Sequence, residues 1–162
     1  MLRDRLRQFA DAGRVPGAAE HALSREYLHG PLLDLFVGQH PRDIVHAAAT
    51  ARWLLDRGHD DAVLVRAALL HDIGKGDQRR LDRVAHVTAS RLRLGAFAGD
   101  RGSRLRLRRA LARSRDHSEL GAALLLAAGA EPRLVELTRL HHSTASASDP
   151  VLALLQVADA ES

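Results

Sequence analysis

The sequence predicts an all-α fold, a compact bundle of about seven to nine helices. Apolar residues recur at spacings of three and four, and no stretch alternates apolar and polar residues as a half-buried strand does. Glycine, proline and aspartate interrupt this pattern at intervals that suit helix ends. Aromatic residues make up only 3% of the chain within a hydrophobic content of 46%. Its core must therefore be built from Leu, Ala and Val, which favour closely packed helices.

Start and stop signals delimit the helices around the middle of the chain. A long helical pattern runs from about Arg42 to Arg57, where Gly58 stops it, and carries His46 in its first half. Asp61 is the better cap for the next helix, because it directly precedes the apolar run. The inward stripe of that helix is Leu64, Ala67, Ala68 and His71.

Further helices are predicted on both sides of this region. In the last third of the chain, Pro132 opens a helix whose apolar stripe directs His141, rather than His142, onto the buried face. Gly121 is expected to leave space beside the imidazole of His117. The Asp149-Pro150 pair should cap a final helix that holds Asp159 near its end. The remaining helices are expected at about 2–12, 18–28, 31–38, 79–94, 104–113 and 116–129, and the segment 95–103 is expected to be a loop.

Length and composition restrict the class of protein. A chain of 162 residues fits a single domain with a substantial core. There is no cysteine, so any metal ligand must be His, Asp or Glu. The net charge of +4 comes largely from arginine and is a weak argument for an acidic partner. We expect a cytoplasmic protein, since the N-terminus has no signal-peptide pattern and no apolar run approaches about 18 residues.

The doublet His71-Asp72 is the centre of the candidate site. It follows the apolar run Ala67 to Leu70 and precedes Gly74, which offers the permissive backbone with which helices commonly stop. A neutral imidazole beside a carboxylate suits divalent transition metals. The dipeptide is common, however, so the inference needs further ligands elsewhere in the chain.

Those further ligands occur in a definite order, and with them the chain resembles the HD-domain metal-dependent phosphohydrolase superfamily. That family has a His on one helix, a His-Asp doublet closing the next within a phrase such as Ala-Leu-Leu-His-Asp-Ile-Gly-Lys, and a distant Asp on a late helix. The resemblance covers about residues 40–161, with 1–38 as an N-terminal helical extension. The matching residues are His46, His71, Asp72 and Asp159, with His117 and His141 where two-metal subgroups have additional ligands.

The resemblance implies one or two divalent transition metals, Fe, Mn, Co or Zn, bridged by Asp72. One metal would take His46, His71, Asp72 and Asp159, and the other would take Asp72, His117 and His141, with His142 in reserve. Two such cations could activate a bridging water and neutralise charge on phosphate oxygens. Asp72 and Lys75 are the predicted catalytic residues. Lys75, Arg106, Arg108 and Arg109 are the candidates for holding substrate phosphates.

The implied activity is hydrolysis of a phosphomonoester or phosphoanhydride, most plausibly in a nucleotide or dinucleotide. The spacing of His141 and Asp159 is similar to that of the bacterial subgroup that cleaves dinucleoside tetraphosphates. Cyclic-di-GMP cleavage has less support, because no Gly-Tyr-Pro element follows the double His. The alternative is a catalytically weak HD protein that binds a nucleotide or a regulatory partner. The sequence does not define the oligomeric state.

Each predicted site residue also has an ordinary structural explanation. An isolated His46 or His117 would more often be a plain helix residue, and Lys75 a favourable charge near a helix C-terminus. The arginines between 101 and 115 surround most of a helix, so a solvated helix competes with a phosphate-binding surface. No aromatic residues lie among them, which argues against nucleic-acid binding.

Overall fold

The structure is a computed structural model that describes residues 15–76, 106–143 and 148–162, with residues 106–115 described by their backbone alone. Within these ranges the chain forms α-helices and one short 3₁₀ turn, and no strand. The all-α prediction is confirmed. The helices predicted at 2–12 and 79–94 and the loop at 95–103 lie outside the described residues. The helices are α1 (Ala18–Tyr27), α2 (Pro31–Val37), α3 (Pro41–Leu55), α4 (Ala62–Leu70), α5 (Arg106–Ala127), α6 (Pro132–Leu140) and α7 (Pro150–Glu161), and the 3₁₀ turn is Ile73–Lys75.

The helix ends follow the predicted local signals. The Asp61 carboxylate accepts a hydrogen bond from the Leu64 amide at 2.9 Å and so caps α4. Asp149 caps α7 in the same way by accepting from two backbone amides, and Pro150 occupies the first turn of that helix. The backbone amides at a helix start have no partner within the helix, so these carboxylates define where each helix begins.

Helix α4 lies at the centre of the molecule. It packs against α1, α2, α3, α6 and α7, and its residues from Ala67 to Leu70 are fully buried. Because α4 is enclosed on nearly all sides, all of its residues except Arg66 are apolar, and they are not confined to one stripe. The C-terminal end of α4 is therefore buried, together with His71 and Asp72, which follow it.

Helix α5 is one continuous helix, so the prediction of separate helices at 104–113 and from 116 was wrong. That prediction placed a new helix start near Asp116, a residue type that often caps helices. Capping preferences are weak, however, and the segment from 104 to 120 contains neither glycine nor proline to stop a helix. The later part of α5 packs against the 3₁₀ turn and α6.

Two glycines allow the 3₁₀ turn to approach α5 closely. A Cβ on Gly74 would lie 1.9 Å from the carbonyl oxygen of His117 and 2.5 Å from the amide nitrogen of Gly121. The positive-φ position is instead Gly76, at 59°. Gly121 faces Gly74 and the side chains of Ile73 and Thr138, and these atoms fill the space that was expected to stay open there. Gly74 thus serves close backbone contact rather than a helix stop.

The first described helix is joined to α3 by a partly buried ion pair. Glu20 on α1 accepts a hydrogen bond from Arg52 on α3 at 2.9 Å and from the Gly17 amide at 2.8 Å. Burial opposes the charged form, but the hydrogen bond from Arg52 outweighs it and lowers the pKa of Glu20 to about 2. Separately, in the part of the chain that the structure describes, no helix combines the length and the apolar character needed to cross a membrane.

Candidate metal centre

The six predicted ligands and the reserve residue all lie at the end of α4. They come from five places in the chain: α3, the end of α4, α5, the turn after α6, and α7. Their ligand atoms form two groups, and within each group all of these atoms lie within 4.8 Å of one another. The first group is His46, His71 and Asp159, and the second is Asp72, His117, His141 and His142.

The first group joins α3, the end of α4, and α7. His46 Nε2 lies 2.8 Å from Asp159 Oδ1, although the two residues are 113 positions apart in sequence. His71 Nε2 lies 3.3 Å from the same carboxylate oxygen. Two imidazoles thus converge on one carboxylate, an arrangement that a cation could occupy by replacing the ring protons.

Asp72 lies between the two groups. Its Oδ2 is 3.5 Å from His71 Nε2 in the first group, and its Oδ1 is 3.4 Å from His117 Nε2 in the second. The carboxylate is almost completely buried. One oxygen therefore faces each group, which is the geometry that a bridging carboxylate needs.

The second group brings together three imidazoles. His117 Nε2 lies 3.2 Å from His141 Nε2 and 3.1 Å from His142 Nε2. His141 is buried and His142 is exposed, which confirms that His141 faces the interior. The turn after α6 nevertheless directs both side chains toward His117, so position on a buried stripe does not separate the two as ligand candidates.

Two of the histidines are oriented by backbone carbonyls that the sequence analysis did not identify. His71 Nδ1 donates to the Ala68 carbonyl at 2.9 Å, and His141 Nδ1 donates to the Thr138 carbonyl at 2.6 Å. Each carbonyl lies three residues before its histidine, as expected for a ring that folds back on the end of its own helix. Since Nδ1 donates to the carbonyl, Nε2 is the nitrogen that faces the cluster and the one that a cation would bind, as in metal-bound histidines.

The chemistry of the buried atoms fits a bound cation. His71 Nε2 and Asp72 Oδ1 are buried and make no hydrogen bond to any described residue, despite their short contacts with neighbouring ligand atoms. Buried polar atoms are nearly always paired, because leaving one unpaired costs about 1–3 kcal/mol. A divalent cation bound by these atoms would remove that penalty.

The negative charges of the cluster also favour a bound cation. Burial alone would lower the pKa of His71, but the carboxylates of Asp72 and Asp159 outweigh it and raise this pKa to about 10. Burial likewise opposes ionisation of Asp72, yet the charges of His71 and Lys75 hold its pKa well below the usual range. A cation that binds here must displace the His71 proton, so its affinity should rise with pH.

His141 has the opposite character. Burial, together with the positive charges of His71 and His142, lowers its pKa to about 3. The ring is therefore neutral at physiological pH and can act as a ligand without first losing a proton. The second group thus contains a neutral donor beside the charged Asp72.

The structure describes the side chain of Lys75 but only the backbone of the three predicted arginines. The Lys75 ammonium forms an ion pair with Asp72 Oδ2, while its side chain remains partly exposed. Arg106, Arg108 and Arg109 lie in the first turn of α5, on the same helix as His117. Their side chains are not among those described, so their contact with a substrate stays a prediction.

The fold and the site define a class of protein. It is a helical bundle with a buried centre of histidines and carboxylates that suits divalent cations. Residues 37–162 match the HD domain family. This span is most of the chain, and the protein belongs to the HD-domain metal-dependent phosphohydrolase superfamily. No curated protein and no solved structure matches the chain significantly.

Proposed function

We propose that this protein is a two-metal phosphohydrolase that cleaves a phosphomonoester or phosphoanhydride bond in a nucleotide or dinucleotide. The observation that carries the proposal is the pair of adjacent ligand groups with Asp72 between them. A site for one ion would need only the first group. The second group is difficult to explain as ordinary packing, because three imidazoles around one carboxylate contribute little apolar contact.

In this proposal, His46, His71, Asp72 and Asp159 hold one cation, and Asp72, His117 and His141 hold the other, with His142 in reserve. When bound, two such cations supply Lewis acidity that activates water and stabilises negative charge on phosphate oxygens. Neutral imidazole and carboxylate ligands suit Fe, Mn, Co or Zn. We propose one of these four, with selection among them depending on availability.

The chain's own residues supply orientation and charge. The carbonyls of Ala68 and Thr138 hold the rings of His71 and His141 in one tautomer. Asp72 stays ionised because its pKa is depressed. The Lys75 ammonium pairs with Asp72 and its side chain is partly exposed, so its positive charge could attract a substrate phosphate near Asp72.

Differences in exposure indicate the side from which a substrate would enter. The side chains of His71 and Asp72 are 1% exposed, whereas those of His46, Asp159 and Lys75 are 26%, 22% and 25% exposed. His142 is exposed as well. The more accessible residues of both groups, together with Lys75, therefore give a phosphate access to the centre.

The backbone of α5 supports a substrate with more than one phosphate. A helix rises about 1.5 Å per residue, so Arg109 lies about 12 Å and Arg106 about 16 Å along the axis from His117. One phosphate group at the metals could not also lie beside arginines at that distance, so contact with them would require a second phosphate. A polyphosphorylated nucleotide or dinucleotide could span this distance.

Metal content and turnover together test the proposal. Asp72→Asn preserves the shape of the side chain but removes the charge shared by both groups, so metal content should fall from about two ions per chain to fewer than one. Elemental analysis of protein prepared without chelator measures this. His29→Ala, an exposed histidine outside both groups, is the matched control and should retain its metal.

Activity distinguishes the enzyme from the binding alternative. Turnover should appear with Mn²⁺ across a panel of nucleoside phosphates and dinucleoside polyphosphates, and chelation should abolish it. Nucleotide binding without turnover on any of these substrates would favour the catalytically weak HD protein instead. Unchanged metal content in Asp72→Asn would contradict the bridging role itself.

A further inference from the structure

The side-chain amide of Gln156 connects α7 to the turn that follows α6. Gln156 Nε2 donates to the Ser143 carbonyl at 2.8 Å and reaches the Leu140 carbonyl at 3.5 Å. Those two carbonyls lie immediately before and after the pair His141-His142. A single amide thus contacts both ends of the segment that carries two histidines of the second group.

Gln156 also shares a helix face with a residue of the first group. Asp159 follows it by three positions on α7, a spacing that brings side chains to the same side of a helix. Asp159 contacts His46 and His71, while Gln156 contacts the α6 turn. One face of α7 therefore contacts the surroundings of both ligand groups.

The α6 turn needs such a contact, because the last carbonyls of a helix have no partner within the helix. The Leu140 carbonyl accepts from the Ser143 amide at 2.7 Å, which closes the turn locally. That bond does not fix the turn relative to α7. The Gln156 amide provides a side-chain link across this junction.

We infer that Gln156 is a positioning residue, which holds the His141-His142 turn in register with Asp159 and thereby keeps the second ligand group beside the first. The inference rests on the proposed function only in that the second group binds a cation. If Gln156 were an ordinary helix residue, its amide could make the same hydrogen bonds. Replacing it would then not affect one ligand group more than the other.

Stepwise Co²⁺ binding tests this selectivity. Gln156→Met keeps the length and helix preference of the side chain but removes the donor. The first equivalent of Co²⁺ should bind with unchanged affinity, and the second should weaken about 10- to 100-fold, the usual effect of losing a group that orients a ligand. Calorimetry gives both affinities, and the visible absorption of Co²⁺ reports the altered coordination. Val157→Ala, a neighbouring change at a side chain that is 48% exposed, is the control and should match the wild type.

Ring NMR signals of the metal-free protein at one fixed pH provide a second measurement, which requires no cation. In Gln156→Met, the signals of His141 and His142 should shift, while those of His46 and His71 should stay in place. If the wild type binds only one Co²⁺ per chain, the two-metal proposal fails, and these signals still decide the role of Gln156. Equal weakening of both equivalents, or a common shift of all four rings, would overturn the inference.

Discussion

Replacing Gly74 with alanine should damage the metal centre far more than it damages the fold. The added Cβ would lie 1.9 Å from the His117 carbonyl oxygen, whereas Cβ atoms essentially never approach closer than 3.0 Å. The nearest atoms belong to the backbone of α5 and cannot rotate away. The 3₁₀ turn and α5 must therefore separate, by about 1.1 Å according to these two distances.

That separation acts directly on the contact between Asp72 and His117. Asp72 precedes Gly74 by two residues, and His117 supplies the carbonyl that Gly74 meets; the ligand atoms of Asp72 and His117 are now 3.4 Å apart. The side chains of a catalytic or binding site must be held within about 0.5 Å of their productive positions. Misplacement by about 1 Å costs on the order of 100-fold in rate. We expect kcat/KM in Gly74→Ala to fall by about that factor, and the second metal to be lost first.

Stability should change less. Inserting one carbon into a packed contact costs typically about 1–3 kcal/mol, and the cost here should lie at the upper end because the opposing atoms are backbone. That cost is still within the reserve of an ordinary domain. Gly58→Ala is the matched control, because Gly58 has a φ of 79° but nothing within 4 Å of the added carbon. The control should lose about 1–2 kcal/mol through backbone strain while its kcat/KM and metal content stay unchanged.

The assay compares metal content, kcat/KM and urea unfolding for the wild type and both variants. Gly121→Ala should be intermediate, since its closest contact, 3.2 Å, is to a Thr138 methyl group that can adjust. Should Gly74→Ala retain both metals and a kcat/KM within about twofold of wild type, close backbone contact does not position the site and the reasoning fails.

Two further predictions concern charge. Glu20→Gln removes the ion-pair partner of Arg52. In the folded protein the pKa of Glu20 is lowered to about 2, below the unfolded value of about 4.3. The stabilisation of the fold by ionised Glu20 should therefore be complete above about pH 4.3 and disappear as the pH falls toward 2. The difference in urea midpoint between wild type and variant, measured from pH 2 to 7, should shrink in that window, and a constant difference would exclude this cause. Replacing Arg106, Arg108 and Arg109 together with Gln should raise KM for polyphosphorylated substrates and flatten its salt dependence, with metal content unchanged. If KM and its salt dependence do not move, the segment is an ordinary solvated helix.

The local features of the fold were predictable from the sequence. Asp61 and Asp149 cap helices through amides two or three residues away, and Pro132 begins α6 where expected. The apolar spacing that ends in His71 follows from the helical repeat alone. These interactions act within about one helical turn, so they depend only on residues that are close in sequence and can be predicted from them.

The choice of site residues needed more than local pattern. His46 and Asp159 are 113 positions apart, and only their order along the chain, compared with the HD pattern, suggested that they meet. The orienting carbonyls of Ala68 and Thr138 left no signal, since every residue has a carbonyl. The Gln156 amide left none either, because its partners depend on where α6 ends relative to α7.

By itself, then, the sequence determined the helical class, most helix ends and the set of residues able to bind a cation. Tertiary structure decided the continuity of α5, the reason for Gly74, and the division of the candidate ligands into two groups with Asp72 between them. The physical reason is distance along the chain. Caps and helical periodicity depend on near neighbours, whereas a separation of a few ångströms between side chains on different helices depends on the packing of the entire core.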